Sequence, residues 1–228
     1  MNVLFIGNSF TARNDLPGIV AQLAASAGER LEHRLISVGG ASLRTHWNKG
    51  GARRAIESGG YDAVVLQEQS TLPVKNAGRM LENVRLFGPV IREHGARTVL
   101  YMTWARKHAP QSQKVIADAY LKAAKDIGAA VIPAGKAWAR VLKRANPPPP
   151  TLHDRDGSHP TVAGTYLAAC CAYAALFGGS PIGQWAPPEI ARDEAAMLQR
   201  AAWAETRPKR RAPRAARRIK RSSSTSRS

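Results

Sequence analysis

The chain has 228 residues, 44% of them hydrophobic, with 34 Lys+Arg against 16 Asp+Glu and a formal net charge of +18. Ten of those bases and none of the acids fall between Arg207 and Ser228, leaving 24 bases against 16 acids over residues 1–206, a balance ordinary for a globular body long enough to bury one core. No apolar run approaches the roughly 18 residues of a membrane helix, and the opening Met1 to Asn8 has neither the basic nor the long apolar region of a secretory leader. The expectation is a cytoplasmic domain over residues 1–206 and a disordered, Arg/Ser-rich basic tail over 207–228, too poor in apolar side chains to fold.

Along the chain, short apolar runs alternate with longer segments of helical period. Val3 to Ile6, Leu35 to Val38, Ala63 to Leu66, Val99 to Met102 and Ala130 to Ile132 are predicted as buried parallel strands, which need not alternate because both faces are covered. Between the first two, Leu16, Ile19, Val20, Leu23 and Ala27 fall at helical spacing, with Asn14-Asp15 and Pro17 at the start and Gly28 as the stop. Helices are predicted over Leu43 to Ser58, Ala77 to His94, Gln111 to Ile127 and Gly135 to Ala145. The run Pro147 to Pro150 is then a stiff extended loop, followed by helices over Thr161 to Phe177 and near Pro188 to Glu205. The alternation gives an α/β fold, a three-layer sandwich around a five-stranded parallel sheet. Cys170 and Cys171, adjacent in an apolar segment, suit neither a disulfide framework nor a zinc site and are read as packing residues.

In open α/β sheets the ligand site lies outside the carboxyl ends of the strands. The loop after the first strand, Gly7-Asn8-Ser9-Phe10-Thr11, puts Ser9 there, just before a helix. Ser9 fits either a helix cap or a nucleophile, and a nucleophile needs a base, because an unassisted hydroxyl is weak at neutral pH. Asp156 and His159 lie three apart in a Gly-containing loop before a helix. A charged surface turn has the same spacing, but so does a carboxylate fixing an imidazole whose other nitrogen takes a serine proton. His153, Asp154, Asp156 and His159 also suggest a metal site, yet no second cluster completes a shell and Ser9 would be left without a role. No Gly-rich phosphate-binding motif follows any strand, so neither metal nor cofactor is expected.

Taken together, Gly7-Asn8-Ser9-Phe10-Thr11, Gly39-Gly40-Ala41-Ser42 and Asp156-Gly157-Ser158-His159-Pro160, in that order over approximately residues 1–180, resemble the SGNH (GDSL-like) hydrolase superfamily of serine esterases, lipases, thioesterases and carbohydrate deacetylases. The resemblance implies a flavodoxin-like sheet of order 2-1-3-4-5 and a cofactor-free triad, with Ser9 as nucleophile, His159 as base and acid, and Asp156 as its orienting partner. It also implies an oxyanion hole of the Ser9 and Gly40 backbone N–H groups and a third donor after strand three. There the chain departs from the family's Gly-x-Asn-Asp, reading Leu66-Gln67-Glu68-Gln69-Ser70. Gln69 takes the role, with Gln67 on the same strand face as the alternate.

Trp104, after the fourth strand, and Trp47, near the second-strand loop, are candidates for substrate contact or for core packing. The expected function is hydrolysis of a small-molecule carboxylic ester with a short acyl group, such as a carbohydrate O-acetyl. Two rivals remain. One is a nucleic-acid or anionic-surface binder acting through the tail, with steep salt dependence but no aromatics for stacking. The other is a hydrolase-like fold retained for carbohydrate binding.

Overall fold

A computed structural model of the protein describes residues 1–144 and 148–207. The basic tail beyond Arg207, and Pro147 at the head of the proline run, lie outside the described residues. Strands β1 (Asn2–Gly7), β2 (Glu32–Ser37), β3 (Ala63–Leu66), β4 (Arg97–Tyr101) and β5 (Ala130–Ile132) form one parallel sheet in the order β2-β1-β3-β4-β5, as the resemblance implies. In register, Gly7 pairs with Ser37 and Ile6 with Leu66, so the loops leaving β1, β2 and β3 emerge side by side. The chain leaves β1 to one side for β2 and returns to the other for β3. That reversal opens a crevice at the carboxyl end of β1.

Alternate side chains divide the core. Val3, Phe5, Val65, Val99 and Tyr101 face α2 (Leu16–Ser26), α8 (Ala134–Leu142), α9 (Val162–Phe177) and α10 (Arg192–Thr206). Leu4, Ile6, Val64, Leu66 and Leu100 face α3 (Leu43–Lys49), α4 (Gly51–Glu57), α6 (Ala77–Glu93) and α7 (Gln113–Ile127). Two further short helices, α1 (Ser9–Ala12) and α5 (Leu72–Lys75), follow β1 and β3 and carry no periodicity long enough to read in advance. Helix α9 is buried almost all round between sheet and neighbouring helices, which explains its uniform apolar composition, and its Cys170 and Cys171 thiols are free and pushed up by burial. Among the described residues no helix is long and apolar enough to cross a membrane.

Several boundaries differ from the sequence expectation: β4 begins at Arg97 rather than Val99, α8 ends at Leu142 and α10 begins at Arg192 rather than near Pro188, and two further differences have a clear cause. The single helix over Leu43 to Ser58 is split into α3 and α4 at Gly50, whose φ of 71° lies in the left-handed region that a glycine adopts without steric cost. β2 starts at Glu32 rather than Leu35 because it is an edge strand, where polar side chains are tolerated and the apolar run marks only its less exposed end.

Candidate active site

Ser9 owes its place to the residues around it. Asn8 caps α1, its Oδ1 accepting the Phe10 N–H at 3.0 Å, and its Nδ2 donates to the Ala41 carbonyl at 2.9 Å, tying the loop after β1 to the loop after β2. From below, the fully buried Gln67 accepts the Asn8 N–H and the Thr11 hydroxyl through Oε1, both at 2.9 Å. A Cβ on Gly7 would come within 2.5 Å of Thr11 Oγ1 and 2.6 Å of Gln67 Oε1, so only a glycine lets this side chain pass so close to the strand end. Buried His46 donates Nε2–H to the Gly7 carbonyl at 2.7 Å, and burial lowers its pKa, keeping the ring neutral.

The segment Leu152 to Thr161 folds back on itself. Thr161 N–H donates to the Leu152 carbonyl at 2.9 Å, Asp154 N–H to the His159 carbonyl at 2.8 Å, and Gly157 closes the turn with a φ of 66°. This narrow loop is what lets residues three apart meet. Asp156 Oδ1 accepts the N–H groups of Ser158 and His159 at 2.9 Å each, and Oδ2 accepts His159 Nδ1–H. The bond from His159 holds the Asp156 carboxyl well below the usual carboxylate range, and the two backbone donors act in the same direction. An ionised Asp156 can only accept, so neutral His159 carries its proton on Nδ1 and presents Nε2 as an acceptor to Ser9 Oγ, 2.8 Å away. Phe10 packs beside the imidazole with ring centroids 5.2 Å apart.

Side chains from the start of the chain lock the two loops together. Arg13 pairs with Asp154 at 2.8 Å. Asn14, itself at φ 55°, donates from Nδ2 to the Pro160 carbonyl at 3.2 Å and to Thr165 Oγ1 at 2.9 Å, while Asp15 caps α2. The sequence reading gave Asn14-Asp15 helix initiation alone, so the clamp made by Asn14 is new.

Ser9, Gly40, Gln69 and His159 line one cleft of about 230 Å³. Among the described residues, nothing accepts from the Ser9 N–H, the Gly40 N–H or Gln69 Nε2. The Gln69 amide is nonetheless fixed, because Oε1 accepts the N–H groups of Thr71 and Leu72 at 2.8 and 3.0 Å and the Thr71 hydroxyl at 2.9 Å. Gln67, the alternate, is excluded from the cleft. It lies in the core, its Nε2 donating to the Glu68 carbonyl.

Three further expectations are corrected or filled in. Trp104 does not contact the cleft: it is 2% exposed, stacks on Trp138 at 3.9 Å between ring centroids, and donates Nε1–H to the Ser158 carbonyl at 3.0 Å. Its large apolar area is satisfied beneath the Asp156–His159 loop, leaving it a support rather than a rim. Trp47 packs edge-on against Phe87 with the Arg53 guanidinium over it. His153 is buried and donates Nε2–H to the Ala105 carbonyl, Asp154 is taken by Arg13, and Asp156 and His159 bond to each other, so the four residues of the metal reading do not converge on one point. Among the described residues no three His, Cys, Asp or Glu side chains are grouped to hold a metal.

Glu68 escaped the sequence reading. Its fully buried carboxylate accepts from Leu43 N–H, Gln69 N–H and Asn83 Nδ2, joining α3, the Gln69 backbone and α6, while burial raises its pKa. The available signal was a run of five polar residues, Gln67 to Thr71, immediately after an all-apolar strand, since buried polar groups demand partners.

No protein-family model and no curated protein sequence matches the chain. Solved structures do. A protein of Slackia heliotrinireducens described as an SGNH hydrolase is 26% identical, with a TM-score of 0.67 over 77% of this chain and 98% of its own. The chain is thus similar in fold to the SGNH hydrolases. Two more distant likenesses speak for the fold alone. These are a DUF4886 family protein from Bacteroides uniformis (22% identity, TM-score 0.72, 89% of this chain and 93% of that one) and an acetyl xylan esterase, AlAXEase (14%, 0.63, 78% and 100%).

Proposed function

We propose that this protein, similar in fold to the SGNH hydrolases, is a serine esterase acting on a carboxylic ester with a short acyl group, such as an O-acetyl on a carbohydrate or similar small molecule. The observation that carries the reading is the hydrogen-bonded row from Ser9 Oγ through His159 to Asp156, opening into a cleft with three unengaged N–H donors. Ser9 Oγ attacks the ester carbonyl as its proton passes to His159 Nε2. The negative charge that forms on the carbonyl oxygen is stabilised by the N–H groups of Ser9 and Gly40 and by Gln69 Nε2. His159 returns the proton to the leaving alkoxide, giving an acyl-Ser9 ester. A water deprotonated by His159 then releases the carboxylic acid and restores the hydroxyl.

The small cleft supports a short acyl group. The test is hydrolysis of p-nitrophenyl acetate through octanoate by wild type beside Ser9→Ala. Activity confined to the shorter esters and abolished by the substitution is expected, and equal rates in the two proteins would remove the assignment.

A further inference from the structure

Besides His159, two residues lining the cleft are ionisable, Asp156 and Arg106. Both Asp156 oxygens are occupied within its own loop. The half-buried Arg106, in the segment after β4, makes no hydrogen bond or ion pair through its guanidinium with any of the described residues. A half-buried cation lining a cleft without a protein partner is costly unless something else answers its charge.

The backbone around Arg106 is held unusually firmly. On one side, Ala105 donates its N–H to Gln113 Oε1 at 2.8 Å and its carbonyl accepts from buried His153 at 2.9 Å. On the other, Lys107 N–H donates to the Gly157 carbonyl at 2.8 Å, in the loop that carries Asp156 and His159, and the Arg106 carbonyl accepts from Ala109 N–H at 2.9 Å. Arg106 also forms part of the wall of a second cavity of about 360 Å³, shared with Trp138, Leu152 and Lys107, so it stands where the two spaces meet.

We propose that Arg106 is a specificity-determining residue, binding a carboxylate carried by the substrate ester while Ser9 attacks the ester carbonyl. A guanidinium with its fork free matches a carboxylate through two parallel charge-assisted hydrogen bonds. One uncompensated cation answers a monoanion, whereas a phosphate dianion would leave charge over beside ionised Asp156. This inference rests on the esterase reading and names the substrate class that reading leaves open.

The test compares p-nitrophenyl acetate with mono-p-nitrophenyl glutarate on wild type, Arg106→Gln and Arg106→Lys. In Arg106→Gln the ratio of kcat/KM for glutarate over acetate falls at least tenfold, mostly through KM for the glutarate ester, and Arg106→Lys recovers part of it. A ratio that stays within twofold overturns the proposal. Binding of the glutarate ester to Ser9→Ala, with and without Arg106→Gln, separates the two claims. If wild type hydrolyses neither ester but the second substitution weakens binding tenfold, the esterase reading fails and the carboxylate site stands. If hydrolysis depends on Ser9 while binding ignores Arg106, the esterase reading stands and the carboxylate site is refuted.

Discussion

The side chain of Gln67 receives the backbone N–H of Asn8 at 2.9 Å, so a residue at the end of β3 sets the position of the backbone immediately before Ser9. Gln67→Leu keeps the volume and removes the acceptor, stranding the Asn8 N–H and the Thr11 hydroxyl in the core. The expected result is a loss of about 1–3 kcal/mol in stability and a kcat lowered by about tenfold or more, read by denaturant titration and steady-state kinetics.

In the proposed mechanism Gln69 Nε2 donates to the oxyanion of the transition state. Gln69→Ala is expected to reduce kcat for p-nitrophenyl acetate by about 10² to 10³ with little change in KM, because one oxyanion donor is worth about 2.7–4 kcal/mol. A kcat within threefold of wild type would show that the hole is complete without it.

The carboxylate of Asp156 is ionised throughout the range in which the site works, because its folded-state pKa is depressed, chiefly by the bond to His159. A depressed carboxylate contributes stability that is present above its unfolded value of about 3.9 and is lost as pH falls through the folded one. The Tm difference between wild type and Asp156→Asn is accordingly expected to narrow only below about pH 4, and Asp156→Asn to lower kcat by about 10²- to 10⁴-fold.

Much of this arrangement was legible in the sequence. The five apolar runs marked the strands, and Ser9, Asp156 and His159 could be selected because a strand-end serine and an Asp-x-x-His loop, each open to a bland reading alone, occur together in the order that the SGNH resemblance implies. What stayed hidden was the polar layer beneath them. Trp104 looked like a rim residue because it follows a strand, and only the fold of the 152–161 segment over it shows that its indole N–H holds the Ser158 carbonyl. Glu68 and Gln67 were ambiguous for a similar reason: spacing along one strand does not say which polar side chains find partners inside.

Trp104→Phe tests that support. The variant retains an aromatic ring but loses the bond to Ser158, so its Tm and kcat are expected to fall while KM for the acetate ester stays close to wild type. A large rise in KM with kcat intact would instead put the indole in contact with substrate.

Chelation distinguishes the metal reading. Protein treated with EDTA and then freed of it is expected to hydrolyse p-nitrophenyl acetate at the untreated rate, since His153 and Asp154 are committed to Ala105 and Arg13.

The hydrogen bond between Ser9 and His159 spans 150 positions of the chain, and the clamp from Asn14 to Pro160 spans 146. Long-range closures of this kind come with a large loop entropy and tend to form late. A ribosome-bound chain that has emerged only as far as β5 still holds Ser9 without its His159 partner, so under the proposed mechanism turnover waits for the last third of the polypeptide. Regain of turnover during refolding is thus a clock for that final closure, distinct from the optical signals of sheet formation.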